Sequence, residues 1–138
     1  MTETSLYSTI VETTRALIIV LDAEGRVVMF NPACERVSGY RFEEVRGRVI
    51  WDFLLTPEER EPVKAVFRDL LEGHFPNTHE NYWVAKSGEG RFIEWSNSAV
   101  TDNNGRVTHV IGTGIDVTGR RDAEVQLRES QEQFQEVA

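Results

Sequence analysis

Residues 77–118 read NTHENYWVAKSGEGRFIEWSNSAVTDNNGRVTHVIGTGIDVT, and their pattern sets the architecture of the chain. Three strand-like runs, THENYWVAK, RFIEWSNSAVT and RVTHVIGTGIDVT, are separated by the polar segments SGEG and DNNG. Short polar segments that contain glycine join neighbouring antiparallel strands. This stretch therefore predicts an antiparallel meander of three strands.

The residues before the meander predict a hairpin followed by helices. ALIIVLD at 16–22 and RVVMFN at 26–31 are β-branched runs with turn residues between them. Asn31 before Pro32 predicts a capped helix over 32–38 that ends at Gly39, and 42–45 adds one more turn. Thr56, followed by Pro57 and Glu59, predicts a capped start for a longer helix that runs to Glu72. The sequence thus predicts five strands, with helices inserted after the second.

Two flanking segments lie outside this core. Residues 1–15 predict an amphipathic helix with Leu6, Tyr7, Ile10 and Val11 at helical spacing, and the core spans 16–118. Residues 119–138 predict a second flanking helix. Its seam has coiled-coil spacing and consists of Ala123, Leu127, Ser130, Phe134 and Val137.

Composition narrows the classes of function. The chain has 138 residues, of which 40% are hydrophobic, enough for one core. Its net charge of −8 argues against nucleic-acid binding. The longest apolar run, Ala16 to Leu21, is too short to insert into a membrane, so we expect a cytoplasmic location. The single cysteine, Cys34, forms no internal disulfide and is expected to be a small buried hydrophobe.

Several strings resemble the Per-Arnt-Sim (PAS) family of sensor domains. They are LDAEGRVVMFNPACERVSGYRFEEVRG, WDFLLTPEER, KSGEGRFIEWSNSAVTDNNGRV and IGTGIDVTGRRDAE, in that order. The resemblance implies an α+β fold, a five-stranded antiparallel sheet with short helices on one face and flanking N- and C-terminal helices. LRESQEQFQEVA at 127–138 resembles the linker that leads into a downstream effector domain.

The resemblance does not bring a cofactor with it. Aligned on the light-oxygen-voltage branch, Ile50 stands at the position of the flavin-reactive cysteine, and Gly114 stands where that branch has glutamine. Haem-binding relatives place a histidine on the long helix, which has none here; His74 and His79 are expected in surface loops. These histidines also lack the spacing of a zinc site. We predict no cofactor and no metal, and a small organic ligand is possible.

A pocket is expected beside two inward-facing glycines. The family alignment places Gly112 and Gly114 on the inner face of the sheet, which leaves space opposite the helices. That space is filled either by large side chains, the slightly favoured alternative, or by a small organic ligand. Glu94 is either a pocket carboxylate or a surface partner of an arginine. The candidate pocket residues are Ile50, Phe67, Trp83, Glu94, Ser96, Gly112 and Gly114.

The residues after the last strand resemble the D-[IV]-T exit motif of PAS domains. In the resemblance, Asp116 and Thr118 fix the turn into the output helix, and Arg120 and Arg121 complete the signal relay. Thr118 is expected to cap this helix, and Asp116 to pair with a following arginine. The family also implies a surface salt bridge between Glu44 and Lys86.

The resemblance implies a sensory and dimerisation module. We predict that it is non-catalytic, because no nucleophile, base and acid occur together in a catalytic arrangement. We expect a homodimer that relays the state of a ligand or partner through its C-terminal helix to an effector domain. Two alternatives stay open: a constitutive structural dimerisation module with a side-chain-filled core, and a haem or flavin redox sensor.

Overall fold

The computed structural model describes residues 2–137, with the side chains of residues 2–133. One antiparallel sheet has the strand order β2-β1-β5-β4-β3. The strands are β1 (Leu17–Asp22), β2 (Val27–Phe30), β3 (Asn77–Val84), β4 (Gly90–Thr101) and β5 (Val107–Asp116). The helices are α1 (Glu3–Thr13), α2 (Pro32–Ser38), α3 (Phe42–Val45), α4 (Pro57–Leu71) and α5 (Thr118–Val137), with a 3₁₀ turn at Ile50–Asp52. The predicted α+β fold with five antiparallel strands is confirmed.

Local signals in the sequence account for the ends of α2. The side chain of Asn31 accepts a hydrogen bond from the backbone N–H of Cys34 at 3.1 Å, and Gly39 ends the helix with φ +78°. Asn31 also joins distant segments, since its Oδ1 accepts from the Ile18 N–H and its Nδ2 donates to the carbonyl of Val11. One buried amide therefore caps a helix and holds the chain between α1 and β1 in place.

The start of α4 differs from the expectation. Thr56 occupies the predicted capping position, but its side chain makes no capping hydrogen bond. Its backbone carbonyl instead accepts from the N–H of Glu59 at 3.0 Å. Pro57 at the first helical position has no N–H to satisfy, which reduces the need for a side-chain cap.

The helices between β2 and β3 cover one face of the sheet, here called the inner face. α4 packs across β3, β4 and β5, and α2 packs on β1. Side chains on alternate strand positions point inward and form the core, including Leu17, Ile19, Trp83, Ile93 and Trp95. The core therefore sits between the sheet and α4, and the opposite, outer face of the sheet is not covered by these helices.

A bulge changes the side-chain alternation in β5. Val100 pairs with His109 and Thr101 pairs with Val107, so Thr108 is the extra residue. In the sequence alone, strict alternation along 107–115 predicts Val107 on the outer face together with His109. That expectation is wrong, because the bulge shifts the alternation by one residue and turns Val107 into the core.

The two flanking helices expose their apolar side chains. α1 has no buried residue, and Leu6, Tyr7 and Ile10 are exposed. On α5 Leu127 is exposed as well, while the side chains of Phe134 and Val137, the other apolar members of the predicted seam, lie outside the described residues. Among the helices described, none combines the length and the apolar character needed to cross a membrane.

Candidate functional site

A small cavity lies between the inner face of the sheet and α4. Its volume is about 60 Å³. Four of the predicted pocket residues, Ile50, Phe67, Trp83 and Gly112, line it. The other lining residues are Ile19, Leu21, Leu55, Val63, Val66, Leu70, His79, Asn81, Trp95, Asn97 and Val110.

Trp95 occupies most of the space that the glycines leave open. A Cβ atom on Gly112 would lie 3.2 Å from Trp95 Cε3, and one on Gly114 would lie 2.7 Å from both Trp95 Cζ3 and Ile93 Cγ2. Real Cβ atoms do not approach that closely, so Gly114 is required here by the neighbouring side chains. Both glycines face inward as expected, but Gly114 does not line the cavity, because Trp95 and Ile93 fill the space in front of it.

One side of the cavity is polar. Asn81 Oδ1 accepts a hydrogen bond of 3.0 Å from Trp95 Nε1, and Asn97 Nδ2 donates to Asn77 Oδ1 at 3.0 Å. His79 lies in β3 and lines the cavity, and its Nε2 atom is buried without a hydrogen-bond partner. The expectation that His79 lies in a surface loop is therefore wrong. The alternation of His79, Asn81 and Trp83 along β3 would have placed all three on the inner face.

Glu94 and Ser96 were expected in the pocket and lie on the outer face instead. Both belong to β4, where inward-facing Ile93 and Trp95 alternate with them. The Glu94 carboxylate pairs with the Arg120 guanidinium in the first turns of α5. The alternative assignment of Glu94, a surface partner of an arginine, is the one that the structure shows.

Asp116, and not Thr118, closes the turn into α5. Asp116 Oδ1 accepts hydrogen bonds from the Thr118 N–H at 3.0 Å and from Thr118 Oγ1 at 2.6 Å, so the aspartate closes the turn into the helix. Thr118 Oγ1 in turn accepts from the Phe92 N–H at 2.8 Å. The expectation that Thr118 caps α5 is wrong, because its hydroxyl binds β4 instead.

The ion-pair partner of Asp116 also differs from the expectation. Asp116 Oδ2 lies 2.7 Å from Arg91 on β4, and neither Arg120 nor Arg121 pairs with it. Burial by itself would raise the pKa of Asp116, but the hydrogen bonds from Thr118 and the pairing with Arg91 outweigh it and hold the pKa below its ordinary value. The carboxylate is therefore ionised at neutral pH.

Arg121 packs along the outer face of the sheet. Its guanidinium lies 4.6 Å from the centre of the Phe92 ring, a cation–π distance, and Nε donates to Tyr82 Oη at 3.4 Å. We call the residues that make these contacts at the start of α5 the exit junction. They are Tyr82, Arg91, Phe92, Glu94, Asp116, Thr118, Arg120 and Arg121. The exit junction fixes the first turns of α5 to β3 and β4.

Strand β4 connects the cavity with the exit junction. Its inward side chains, Ile93 and Trp95, pack in the core, and Trp95 lines the cavity. Ile93 has Phe92 and Glu94 as its neighbours in the strand. These two neighbours contact Thr118 and Arg120, which begin α5. The segment of β4 that carries Trp95 is therefore the same short segment that contacts the first turn of α5.

Two further predicted features lie away from this path. Lys86 Nζ lies 2.9 Å from Glu44 Oε2, so the expected salt bridge is present, and it lowers the pKa of Glu44. Cys34 is buried in α2, and its Sγ faces the carbonyl of Ile18 at 3.4 Å. Burial raises the pKa of the Cys34 thiol to about 12, which removes its nucleophilic character at neutral pH.

The cavity does not fit the large cofactors that the fold can carry. Pockets for ligands of drug size occupy about 300 Å³ or more, and this cavity has about 60 Å³. Trp95 and Ile93 fill the space next to Gly114, and Ile50 offers no thiol. Neither a flavin ring nor a haem can enter without a rearrangement of the core.

The fold and the exit junction together define a sensor domain of the PAS class. The sequence profile of the PAS fold matches residues 11–122, and the chain belongs to this family. The expected family is thereby confirmed. Domains of this family are sensory modules of signal transduction proteins.

Known proteins of several kinds are similar to the chain. The sensor histidine kinase TmoS of Ectopseudomonas mendocina is 25% identical over 136 residues, which are 96% of this chain and 14% of TmoS. The structure of an RNA-binding light-oxygen-voltage receptor has a TM-score of 0.78 at 26% identity, covering 94% of this chain and 37% of that one. The PAS domain of the Cronobacter turicensis quorum-sensing receptor RpfR, solved in complex with BDSF, has a TM-score of 0.68 at 21% identity, covering 78% of this chain and 99% of that one.

Proposed function

We propose that this domain is the sensory input module of a larger signalling protein and that it reports the state of its inner cavity through α5. The supporting observation is the double role of β4, which lines the cavity with Trp95 and holds α5 through the backbone of Phe92 and the carboxylate of Glu94. The likeness to TmoS supports an effector of the histidine-kinase type.

The signal is a shift between two arrangements of the exit junction. Occupancy of the cavity moves the Trp95 ring, and β4 carries the movement to the ion pair between Glu94 and Arg120 and to the hydrogen bond between Phe92 and Thr118. A ligand shifts such an equilibrium only through its different affinity for the two states. Because the cavity is small, a modest displacement of the Trp95 ring is enough to distinguish the two arrangements of the exit junction.

We further propose that the module acts as a homodimer through its flanking helices. Leu6 and Ile10 on α1 and Leu127 on α5 are exposed in the single chain. Narrow apolar stripes of this kind are stabilised by packing against a second copy. Dimerisation places two copies of α5 side by side, where a change at the exit junction alters how they pack.

One observation favours a second function, a constitutive structural dimerisation module. Trp95 and Ile93 already fill the space opposite Gly114, as a core without a signal requires. The two functions differ in one respect: in a structural module, a change inside the cavity leaves α5 unaffected. The experiment below rests on that difference.

The test perturbs the cavity without any ligand. In Gly112→Ala the new methyl group lies 3.1 Å from Ile19 and 3.2 Å from Trp95, which is close enough to displace the ring by a few tenths of an ångström. Hydrogen exchange of the α5 amides from Thr118 to Leu127 is the readout. We expect their exchange rates to change in Gly112→Ala.

Two controls make the result specific. Gly90→Ala alters β4, the strand that carries Trp95, but its methyl group makes only an ordinary contact of 3.5 Å with Tyr82, so α5 should exchange as in the wild type. In a variant that already carries Glu94→Gln and Asp116→Asn, adding Gly112→Ala should cause no further change in the exchange of the α5 amides. Unchanged exchange in α5, with a shifted Trp95 indole resonance, would reject the sensory proposal and support the structural module.

A further inference from the structure

One of the residues that line the cavity, His79, has a buried side-chain nitrogen without a partner. Within the described part of the chain, His79 Nε2 is the one buried side-chain nitrogen or oxygen that lacks a hydrogen bond. Buried polar atoms in native proteins almost always have partners, and each exception calls for an explanation, of which a bound water or ligand is one. Nε2 can donate or accept depending on the tautomer. A molecule in the cavity that carries one hydrogen-bonding group can satisfy it.

The dimensions of the cavity limit that molecule. One water molecule needs about 10 to 15 Å³ of cavity volume. Counting each non-hydrogen atom as one water, a cavity of about 60 Å³ holds about four to six of them. Trp95 sets this limit, because its ring fills the space over Gly112 and Gly114. A twelve-carbon fatty acid or an aromatic ring system does not fit beside Trp95 in this position.

The charge of the lining limits the molecule further. His79 is the one ionisable side chain among the described residues that line the cavity, and no lysine, arginine, aspartate or glutamate accompanies it. A buried ionised group without an oppositely charged partner is strongly disfavoured. The remaining walls are hydrocarbon, for example Ile50, Val66 and Leu70. The lining therefore favours a neutral ligand with a short apolar part.

We propose that the cavity binds a neutral molecule of about four to six non-hydrogen atoms, such as a short-chain alcohol or ketone, whose oxygen pairs with His79 Nε2. Trp95 determines the size of the ligand, and His79 determines the position of its polar group. This inference rests on the proposed sensory function and adds to it the chemical class of the ligand.

The test is a titration of the domain followed by amide and indole NMR resonances. The probe is butan-1-ol, with butyrate and butylammonium as charged molecules of the same chain length and octan-1-ol as a longer alcohol. Molecules of this size bind weakly, so the titration extends to about 50 mM. We expect a saturable shift of the Trp95 indole resonance with butan-1-ol, and no saturable shift with the other three.

Two variants assign the roles of the side chains. His79→Leu removes the hydrogen bond and should weaken butan-1-ol binding by roughly two- to twelvefold, whereas His79→Gln keeps a polar group and should lose less. Trp95→Phe enlarges the cavity and should admit octan-1-ol. Circular dichroism and urea midpoints establish that each variant is folded before its binding is interpreted.

Three outcomes overturn the inference: no saturable shift with butan-1-ol, equal binding of butyrate, or undiminished binding by a folded His79→Leu variant. None of them touches the proposed sensory function, which the Gly112→Ala exchange experiment tests without a ligand. Conversely, if butan-1-ol binds but α5 exchange is unchanged in Gly112→Ala, the proposed ligand class stands and the proposed relay through α5 is rejected.

Discussion

Replacing Asp116 tests the exit junction directly. Asp116→Ala removes the acceptor for the Thr118 N–H and hydroxyl and the ion-pair partner of Arg91. Loss of a helix-end acceptor costs about 1 kcal/mol. The side chains of Asp116 and Arg91 are 15% and 30% exposed. The free energy lost on breaking their ion pair should therefore be intermediate between that of exposed pairs, about 0 to 1 kcal/mol, and that of buried pairs, about 3 to 5 kcal/mol.

We assign the pair about 1 to 2 kcal/mol, so Asp116→Ala should lower the free energy of unfolding by about 2 to 3 kcal/mol at pH 7. Asp116→Asn is the matched control. It keeps an oxygen that accepts from the Thr118 N–H but loses the charge, and should lower the free energy of unfolding by only about 1 to 2 kcal/mol. Urea unfolding followed by tryptophan fluorescence measures both, since Trp83 and Trp95 are buried.

The charge component must also depend on pH with a defined sign. The pKa of Asp116 is lower in the folded state than its ordinary value. A group with a lowered folded pKa stabilises the protein above the unfolded pKa, which is about 3.9, and this stabilisation is lost as the pH falls through the folded pKa. The difference between wild type and Asp116→Asn should therefore be full at pH 7 and shrink below about pH 4. A difference that is constant with pH, or a loss below about 0.5 kcal/mol in Asp116→Ala, would refute the reasoning.

Three further variants and measurements test separate parts of the structure. Gly114→Ala places a methyl group 2.7 Å from Ile93 and Trp95 and should lower the free energy of unfolding by about 1 to 3 kcal/mol in urea titrations, whereas an unaltered midpoint would mean that Trp95 moves freely. The Cys34 thiol should react with a disulfide reagent only at the rate of unfolding, because it is buried with a pKa of about 12; rapid labelling of the native domain would contradict this burial. Sedimentation equilibrium at tens of micromolar should show a dimer for the wild type and weaker association for Leu6→Asp combined with Leu127→Asp, with Val100→Asp on the outer face as the matched control; a wild-type monomer would reject the dimer.

Features that depend on neighbouring residues were predictable from the sequence. Asn31, Pro32 and Gly39 delimit α2 through capping and a left-handed residue, both local effects. The polar turns separated the strands for the same reason. The inward orientation of Gly112 and the partner of Lys86 followed from the family alignment and not from local pattern.

Features that depend on distant residues were not predictable in this way. The bulge at Thr108 results from the register between β4 and β5, and one extra residue moved Val107 to the other face. Thr118 binds the backbone of Phe92, which lies in another strand. The prediction for His79 was wrong because its environment is formed by β3, β4 and α4 together. Its alternation with Asn81 and Trp83 along β3 would have predicted the inner face.

The pairing of β1 with β5 has a consequence for the construction of larger proteins. Leu17 pairs with Gly114 at the centre of the sheet, so α1, which ends at Thr13, and α5, which begins at Thr118, leave the sheet from adjacent strands at the same end. A helix turns by about 100° for each added residue and returns to nearly the same side after seven. In a protein that places an effector after α5, inserting one residue behind Leu127 would rotate that effector to another side, whereas inserting seven would restore its orientation. In a dimer of such a protein, the phase of this helix, and not only its length, would determine which surfaces of the two effectors meet.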